Sequence, residues 1–357
     1  MTRARKIRVL VVDDSMLFRE VVSRGLSADP EIQVVAKAVD AFDARDKIIE
    51  FRPDVMTCDV HMPKMDGIEF IRRLLPQYQL PVIIVSTVSE AVLDAMDAGA
   101  VEFVGKPAKG EPESMEAFIA ELAGKIKVAA VAKLTRPIAP ARAEGQVLSA
   151  GASPDRRRVL AIGASTGGTE AIYQVLKALP PTVPGIVIVQ HIPPVFSRLF
   201  SERLDKQTGL NVKEAETGDR VEPGRVLIAP GNQHMRLLRR TGGYVVECFE
   251  GARVNGHCPS VDVLFQSVAR EAGANAIGVI LTGMGADGAK GLLEMRGKGA
   301  RTIGQDEKSS VVYGMPKVAY DIGAVEYQMD LAKIPDMMVS LARREVPSEQ
   351  GEHGLKK

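Results

Sequence analysis

The chain has 357 residues, 45% hydrophobic and 25% charged, which is globular composition with room for two ordinary domains. A formal net charge of +1 gives no global pull toward nucleic acid or an anionic membrane, and no apolar run approaches the roughly 20 residues a membrane span needs. Three cysteines without paired spacing, Cys58, Cys248 and Cys258, argue against a disulfide framework and suit a reducing cytoplasm.

The N-terminus, MTRARKIRVLVVDDS, is basic and then apolar, but the run is short and carboxylates follow it, so it reads as a first strand rather than a secretion signal. Strand-like runs IRVLVV, IQVVAKA, VMTC, PVIIVS and VEFVG then alternate with amphipathic stretches such as MLFREVVSRGLSA and AFDARDKIIEF. That alternation predicts a parallel sheet with right-handed crossovers over residues 5–124. The segment ESMEAFIAELAGKIKVAAVAKL has helical periodicity and leads into a basic, Ala- and Pro-rich linker, residues 125–156. Alternation restarts with VLAIG, GIVIVQ, RVLIAP, YVVECF, AIGVILT, RTIGQ and AVEYQM, giving a second α/β unit over residues 157–346. A helix, PDMMVSLARRE, precedes a polar tail, residues 347–357, expected to fray.

Chemistry in open parallel sheets collects beyond the carboxyl ends of the strands. In the first half Asp13 and Asp14 follow one strand, Asp59 the next, Ser86 the next and Lys106 the last. Three carboxylates at adjacent strand ends repel one another unless a cation sits among them, and oxygen ligands of this kind suit Mg²⁺. A lysine and a hydroxyl facing the same pocket would bind a transferred phosphoryl group. Taken singly, Asp14 or Ser15 could be a helix N-cap and Lys-Pro a turn. All four features at strand ends in this order favour the phosphoryl pocket.

In the second half Ser165, His191 and Asp287 each follow a strand, the last through the loop GMGADG. If those strands are neighbours, His191 can take the serine proton while Asp287 fixes the imidazole tautomer and stabilises its charged form. GASTG fits G-x-S-x-G, the turn that exposes a nucleophilic serine. The order Ser, His, Asp differs from the Ser, Asp, His of the hydrolases that carry this turn, so their topology is not implied. Backbone N–H groups of Thr166 and Met284 are candidates to hold an oxyanion. The rival readings are a phosphate-binding turn, a structural histidine at 191 and a helix-capping Asp287. The turn lacks the residues of a P-loop or a dinucleotide site. His234 is a second strand-end histidine that could line a substrate groove. The His257–Cys258 pair reads as an ordinary loop or buried thiol rather than a metal site.

Through VDDS, CDVHMPKMDG, VST and GKP, residues 5–124 resemble response-regulator receiver domains. The resemblance implies a flavodoxin-like, five-stranded parallel sheet and phosphorylation of Asp59 by a histidine kinase. It further implies Mg²⁺ held by Asp13, Asp14 and Asp59, with Ser86 as the switch hydroxyl, Lys106 as the phosphate-contacting lysine and Phe103 as an aromatic switch. Through GASTGG, QHIPP, APGNQHM and LTGMGADG, the second unit resembles chemotaxis protein-glutamate methylesterases. That implies a doubly wound, mostly parallel α/β domain that needs no cofactor. The implied activity is hydrolysis of γ-glutamyl methyl esters, and deamidation of glutamines, on cytoplasmic helices of chemoreceptors. Ser165, His191 and Asp287 match the triad, and Thr166 and Met284 the active-site loops. The expected protein is cytoplasmic, with no nucleic-acid partner and no insertion into the membrane. An unphosphorylated receiver is expected to cover the edge carrying Ser165, and phosphorylation to loosen it. A DNA-binding regulator and a non-catalytic receptor scaffold are the rival functions; the α/β output with its Ser/His/Asp set argues against both.

Overall fold

The structure, a computed structural model, describes residues 5–87, 91–107, 112–132 and 157–343. Residues 133–156 of the expected linker and the whole tail 347–357 lie outside the described residues.

The first unit runs β1 (Ile7–Val12), α1 (Met16–Ser27), β2 (Ile32–Ala38), α2 (Ala41–Phe51), β3 (Val55–Cys58), α3 (Gly67–Leu74), β4 (Val82–Ser86), α4 (Ala91–Asp97), β5 (Glu102–Gly105) and α5 (Pro112–Ala129). Its five strands are all parallel, in the order β2-β1-β3-β4-β5. β3 and β4 are buried along their whole length, as strands covered by helices on both faces must be, which is why they read as unbroken apolar runs. Ser15 caps α1, accepting from Phe18 N–H, which leaves the Asp13 and Asp14 carboxylates free of that task. α5 continues past Gly124, where the sequence places the start of the linker.

The second unit runs β6 (Val159–Ala164), α6 (Gly168–Ala178), β7 (Gly185–Gln190), α7 (Phe196–Gln207), β8 (Asn211–Glu214), β9 (Arg220–Val221), β10 (Arg225–Ile228), β11 (His234–Arg240), β12 (Gly243–Phe249), α8 (Val261–Ala272), β13 (Ala276–Ile280), α9 (Ala289–Gly297), β14 (Arg301–Gln305), α10 (Met315–Asp321), β15 (Tyr327–Met329) and α11 (Ile334–Arg343). Seven of these strands form a parallel sheet in the order β15-β14-β13-β6-β7-β10-β8. From β6 the chain winds outward to one edge, then returns to β13 and winds to the other. This is the doubly wound arrangement, and its switch point at β6 is where such sheets open a crevice. The run YVVECF does not join this sheet. It pairs antiparallel with β11 and β9 in a separate three-stranded sheet, and the alternating burial of β11 and β12 fits a sheet covered on one face.

One apolar cluster passes from unit to unit: Leu93, Met96 and Phe103 of the first belong to the same buried group as Phe196, Phe200 and Leu204 of the second. Among the described residues no helix is long and apolar enough to cross a membrane.

Candidate active site

β13, β6 and β7 are consecutive in the sheet, so the loops at their carboxyl ends meet. Ala164 pairs with Gln190 across β6 and β7, so the next residues, Ser165 and His191, leave the sheet side by side. Backbone bonds hold the three loops together: His191 N–H donates to Ala164 O at 3.1 Å and Ser165 N–H to Thr282 O at 3.0 Å. The Gln190 amide donates to the carbonyls of Ser165 (2.9 Å) and His191 (3.2 Å), bracing both loops with one side chain. Gly167 enters α6 at φ 75°, completing the tight turn expected of GASTG.

His191 Nε2 lies 2.9 Å from Asp287 Oδ2. With the ring proton on Nε2 and donated to the carboxylate, the lone pair is left on Nδ1, which is buried and has no partner. The Ser165 hydroxyl forms no hydrogen bond among the described residues, so neither it nor His191 Nδ1 is committed to another group. Such contacts often tighten only when substrate is bound.

Asp287 is almost fully buried and accepts from an unusual number of donors. Oδ1 takes Asn255 Nδ2 (2.8 Å), Ser260 Oγ (2.8 Å) and Asp262 N–H (3.2 Å); Oδ2 takes Val261 N–H (2.7 Å) besides the imidazole. Burial alone would raise its pKa, but the hydrogen bonds from His191, Asn255 and Ser260 and the nearness of His191 hold it well below the ordinary carboxylate range. Asp287 therefore stays ionised. It does cap a helix, as the rival reading of the sequence had it, but that helix is α8, reached through space rather than along the chain.

Gly283 approaches Ser165 so closely that a Cβ on it would sit 2.7 Å from Ser165 Cβ. Met284 follows directly, with its side chain half exposed at the mouth. The Thr166 and Met284 N–H groups donate to nothing among the described residues. His234 is not in this group. It is buried, its Nε2 lies 2.9 Å from Ala252 O and its Nδ1 accepts from Ser260 N–H at 3.2 Å, so it is a satisfied core histidine.

In the first unit Val12 pairs with Cys58, which brings Asp13 and Asp59 together, and Ser86 pairs with Gly105, which brings up Lys106. Carboxylate oxygens of Asp13, Asp14 and Asp59 lie within 4.8 Å of one another. Lys106 Nζ bridges Asp13 Oδ2 at 2.7 Å and Asp59 Oδ2 at 2.6 Å. Burial raises the Asp13 pKa, Lys106 offsets part of the rise and Asp59 adds to it. Burial works to lower that of Lys106, but the two carboxylates carry it above its ordinary value. The Ser86 hydroxyl is buried without a partner. An orphaned hydroxyl beside crowded carboxylates fits a divalent cation and a phosphoryl group.

The CheB methylesterase family model matches residues 160–338 and the response regulator receiver domain model residues 9–118. The chain belongs to the CheB methylesterase family. Over 341 residues it is 58% identical to protein-glutamate methylesterase/protein-glutamine glutaminase 2 of Syntrophomonas wolfei subsp. wolfei, with 95% of this chain and 98% of the relative covered. Its identity to the protein-glutamate methylesterase/protein-glutamine glutaminase of Salmonella typhimurium is 47% over 341 residues, covering 94% of this chain and 97% of the relative. The crystal structure of the Thermotoga maritima CheB methylesterase catalytic domain superposes with TM-score 0.50 at 38% identity, covering 52% of this chain and 98% of that one.

In this CheB-family chain the receiver lies against the esterase unit. The Thr166 hydroxyl, next in the chain to Ser165, donates to Glu102 Oε2 at 3.0 Å. The Phe103 and Phe196 rings meet at 4.3 Å between centroids, so the expected switch aromatic is packed into the other unit. Arg203 pairs with Asp97 and donates to Leu93 O at 2.7 Å. A groove here is lined by Leu93, Met96, Asp97, Glu170, Tyr173 and Arg203. Sequence reading missed Asn255, Ser260, Glu102 and Arg203, and it set His257 aside. Its one usable signal was the Asn255–Gly256 dipeptide, a hairpin-turn marker just before that histidine.

Proposed function

We propose that this chain is a protein-glutamate methylesterase and protein-glutamine glutaminase acting on chemoreceptors in chemotaxis adaptation, switched on by phosphorylation of its receiver. The observation that carries the reading is the meeting of Ser165, His191 and Asp287 at the carboxyl edge of three adjacent strands, with the imidazole bound to a buried, ionised carboxylate.

Ser165 Oγ attacks the γ-carbonyl carbon as its proton passes to His191 Nδ1, and Asp287 stabilises the imidazolium. The N–H groups of Thr166 and Met284 hold the oxyanion. Collapse breaks the ester bond, and the proton on His191 goes to the departing methoxide, releasing methanol; a glutamine substrate releases ammonia instead. Water, deprotonated by His191, then cleaves the acyl-enzyme to a glutamate carboxylate and frees Ser165. Ester and primary amide present the same carbonyl geometry, so one site serves both.

In the receiver, Asp59 accepts the phosphoryl group from a histidine kinase, and Ser86 and Lys106 contact its oxygens. Asp13, Asp14 and Asp59 would hold Mg²⁺, which when bound neutralises phosphoryl charge. The contacts of Glu102, Phe103 and Asp97 with the esterase unit support a closed state that bars a receptor helix from Ser165. Phosphorylation shifts the population toward an undocked state in the cytoplasm, where kinase and receptor helices meet the enzyme.

The test is methanol release from methylated chemoreceptor membranes by wild type and Ser165→Ala, each with and without acetyl phosphate and Mg²⁺. Wild type should release methanol, faster with the phosphodonor, and the alanine variant none. Release by Ser165→Ala at the wild-type rate would reject the mechanism, and receptor binding without release by wild type would favour a scaffold.

A further inference from the structure

His257 stands outside the Ser165, His191, Asp287 set, yet its ring lies flat on that of His191, with centroids 3.7 Å apart and planes 12° from parallel. It is delivered by a two-residue turn, Asn255–Gly256, with φ of 53° and 84° and a pair of 2.9 Å backbone bonds between Val254 and His257. Positive φ at both central residues is the signature of the type I′ hairpin turn. From this one turn Asn255 reaches Asp287 Oδ1 and His257 covers His191, so four consecutive residues grip both members of the proton-handling pair. Neither ring nitrogen of His257 is hydrogen-bonded among the described residues. What the ring offers the site is its face.

We propose that His257 is a positioning residue: its neutral ring, stacked on His191, fixes the imidazole plane so that Nδ1 stays free for the serine proton, and its π face stabilises the imidazolium once formed. This rests on His191 being the base. A cation over a π face in a desolvated site is favourable, and a second charge there would be repelled. The groups that set the charge of His257 are His191, Asp287 and Arg253. Burial first, then His191, pushes its pKa down to about 4, with Asp287 pulling the other way and Arg253 adding to the depression. His257 is therefore uncharged at neutral pH.

The test compares the full chain, activated with acetyl phosphate and Mg²⁺, with its His257→Ala, His257→Leu and His257→Phe variants in methanol release across pH. His191→Ala is the control. Ala and Leu should lose roughly 5- to 30-fold in kcat, the factor for removing a desolvated cation–π contact. KM should stay within about twofold, because the contact forms with the charge rather than with substrate. The acid limb of kcat/KM should move to lower pH, since the imidazolium loses its support. Phe, which keeps a flat uncharged ring, should recover most of the rate and restore the limb. Wild-type kinetics for Ala would overturn the proposal. So would Leu matching Phe, which would reduce the role to filled volume, or Phe as impaired as Ala, which would assign it to the ring nitrogens. A fully active His191→Ala would instead overturn the catalytic reading beneath it.

Discussion

Arg203→Ala probes the proposed closed state without touching Ser165, His191 or Asp287. Arg203 sits on α7 and reaches the receiver twice, to the Asp97 carboxylate and to Leu93 O at 2.7 Å. Its side chain is 16% exposed and that of Asp97 36%. A hydrogen bond to a charged group contributes about 1.5–3 kcal/mol when buried, and the exposure of Asp97 argues for the lower end. A loss of ~1.5–2 kcal/mol shifts the docked-to-undocked ratio roughly 10- to 30-fold. If docking is what restrains the esterase, methanol release without phosphodonor should rise by about that factor, capped by the fraction already undocked. The rate with acetyl phosphate should stay near wild type, because that state no longer uses the contact. The assay is initial methanol release from methylated receptor membranes, with thermal unfolding as the control for folding. A folded Arg203→Ala variant with an unchanged basal rate would refute the reasoning, and so would a fall in the stimulated rate.

Asp287→Asn should lower kcat by ~10³–10⁴-fold with little change in KM, because an amide cannot accept from the surrounding donors as a carboxylate does, nor stabilise the imidazolium; steady-state methanol kinetics check it. Gly283→Ala should cost more than ~10²-fold in kcat, since misplacing a nucleophile by an ångström is costly. Its Cβ would press on Ser165 Cβ at 2.7 Å and Met315 Sδ at 2.4 Å, while phosphoryl uptake by the receiver, read by mass spectrometry, should be unaffected. Glu170 carries a pH prediction. Burial raises its pKa, and Asp97 across the interface raises it further against Arg203 and Gln174. Docking that raises the pKa of an acid takes up a proton. It is favoured at low pH and lost as pH rises through the docked pKa. The fold-stimulation by acetyl phosphate should therefore shrink as pH rises above the ordinary glutamate range, and Glu170→Gln should flatten that dependence.

Both sheets were legible in the sequence because a parallel strand covered on both faces must be apolar along its length, as VLAIGA and GIVIVQ are. The strand ends could be read for the same reason: charged and hydroxyl residues cluster where the chain leaves the sheet, so Ser165, His191, Asp59 and Lys106 stood out as candidates. Asp287 was harder, because it lies within a loop rather than at a strand end, but the glycines around it showed a tight backbone. The three-stranded sheet was obscured since β11 and β12 are covered on one face only, and β11 carries Arg236, Arg239 and Arg240 among its apolar residues and β12 Glu247.

Tertiary structure alone decided the rest. Nothing local to Asn255 or Ser260 says that they hold Asp287, because the contact exists only once α8 is set against the β13–α9 loop. Nothing near His257 says that its ring lies on His191, sixty-six positions earlier in the chain. The Glu102–Thr166 and Asp97–Arg203 contacts join residues of ordinary surface type, and their meaning comes from which surface faces them. Hydrophobic periodicity is a property of a segment and survives in one dimension. Complementarity between distant polar groups is a property of a pair, and it appears only when folding brings the two together.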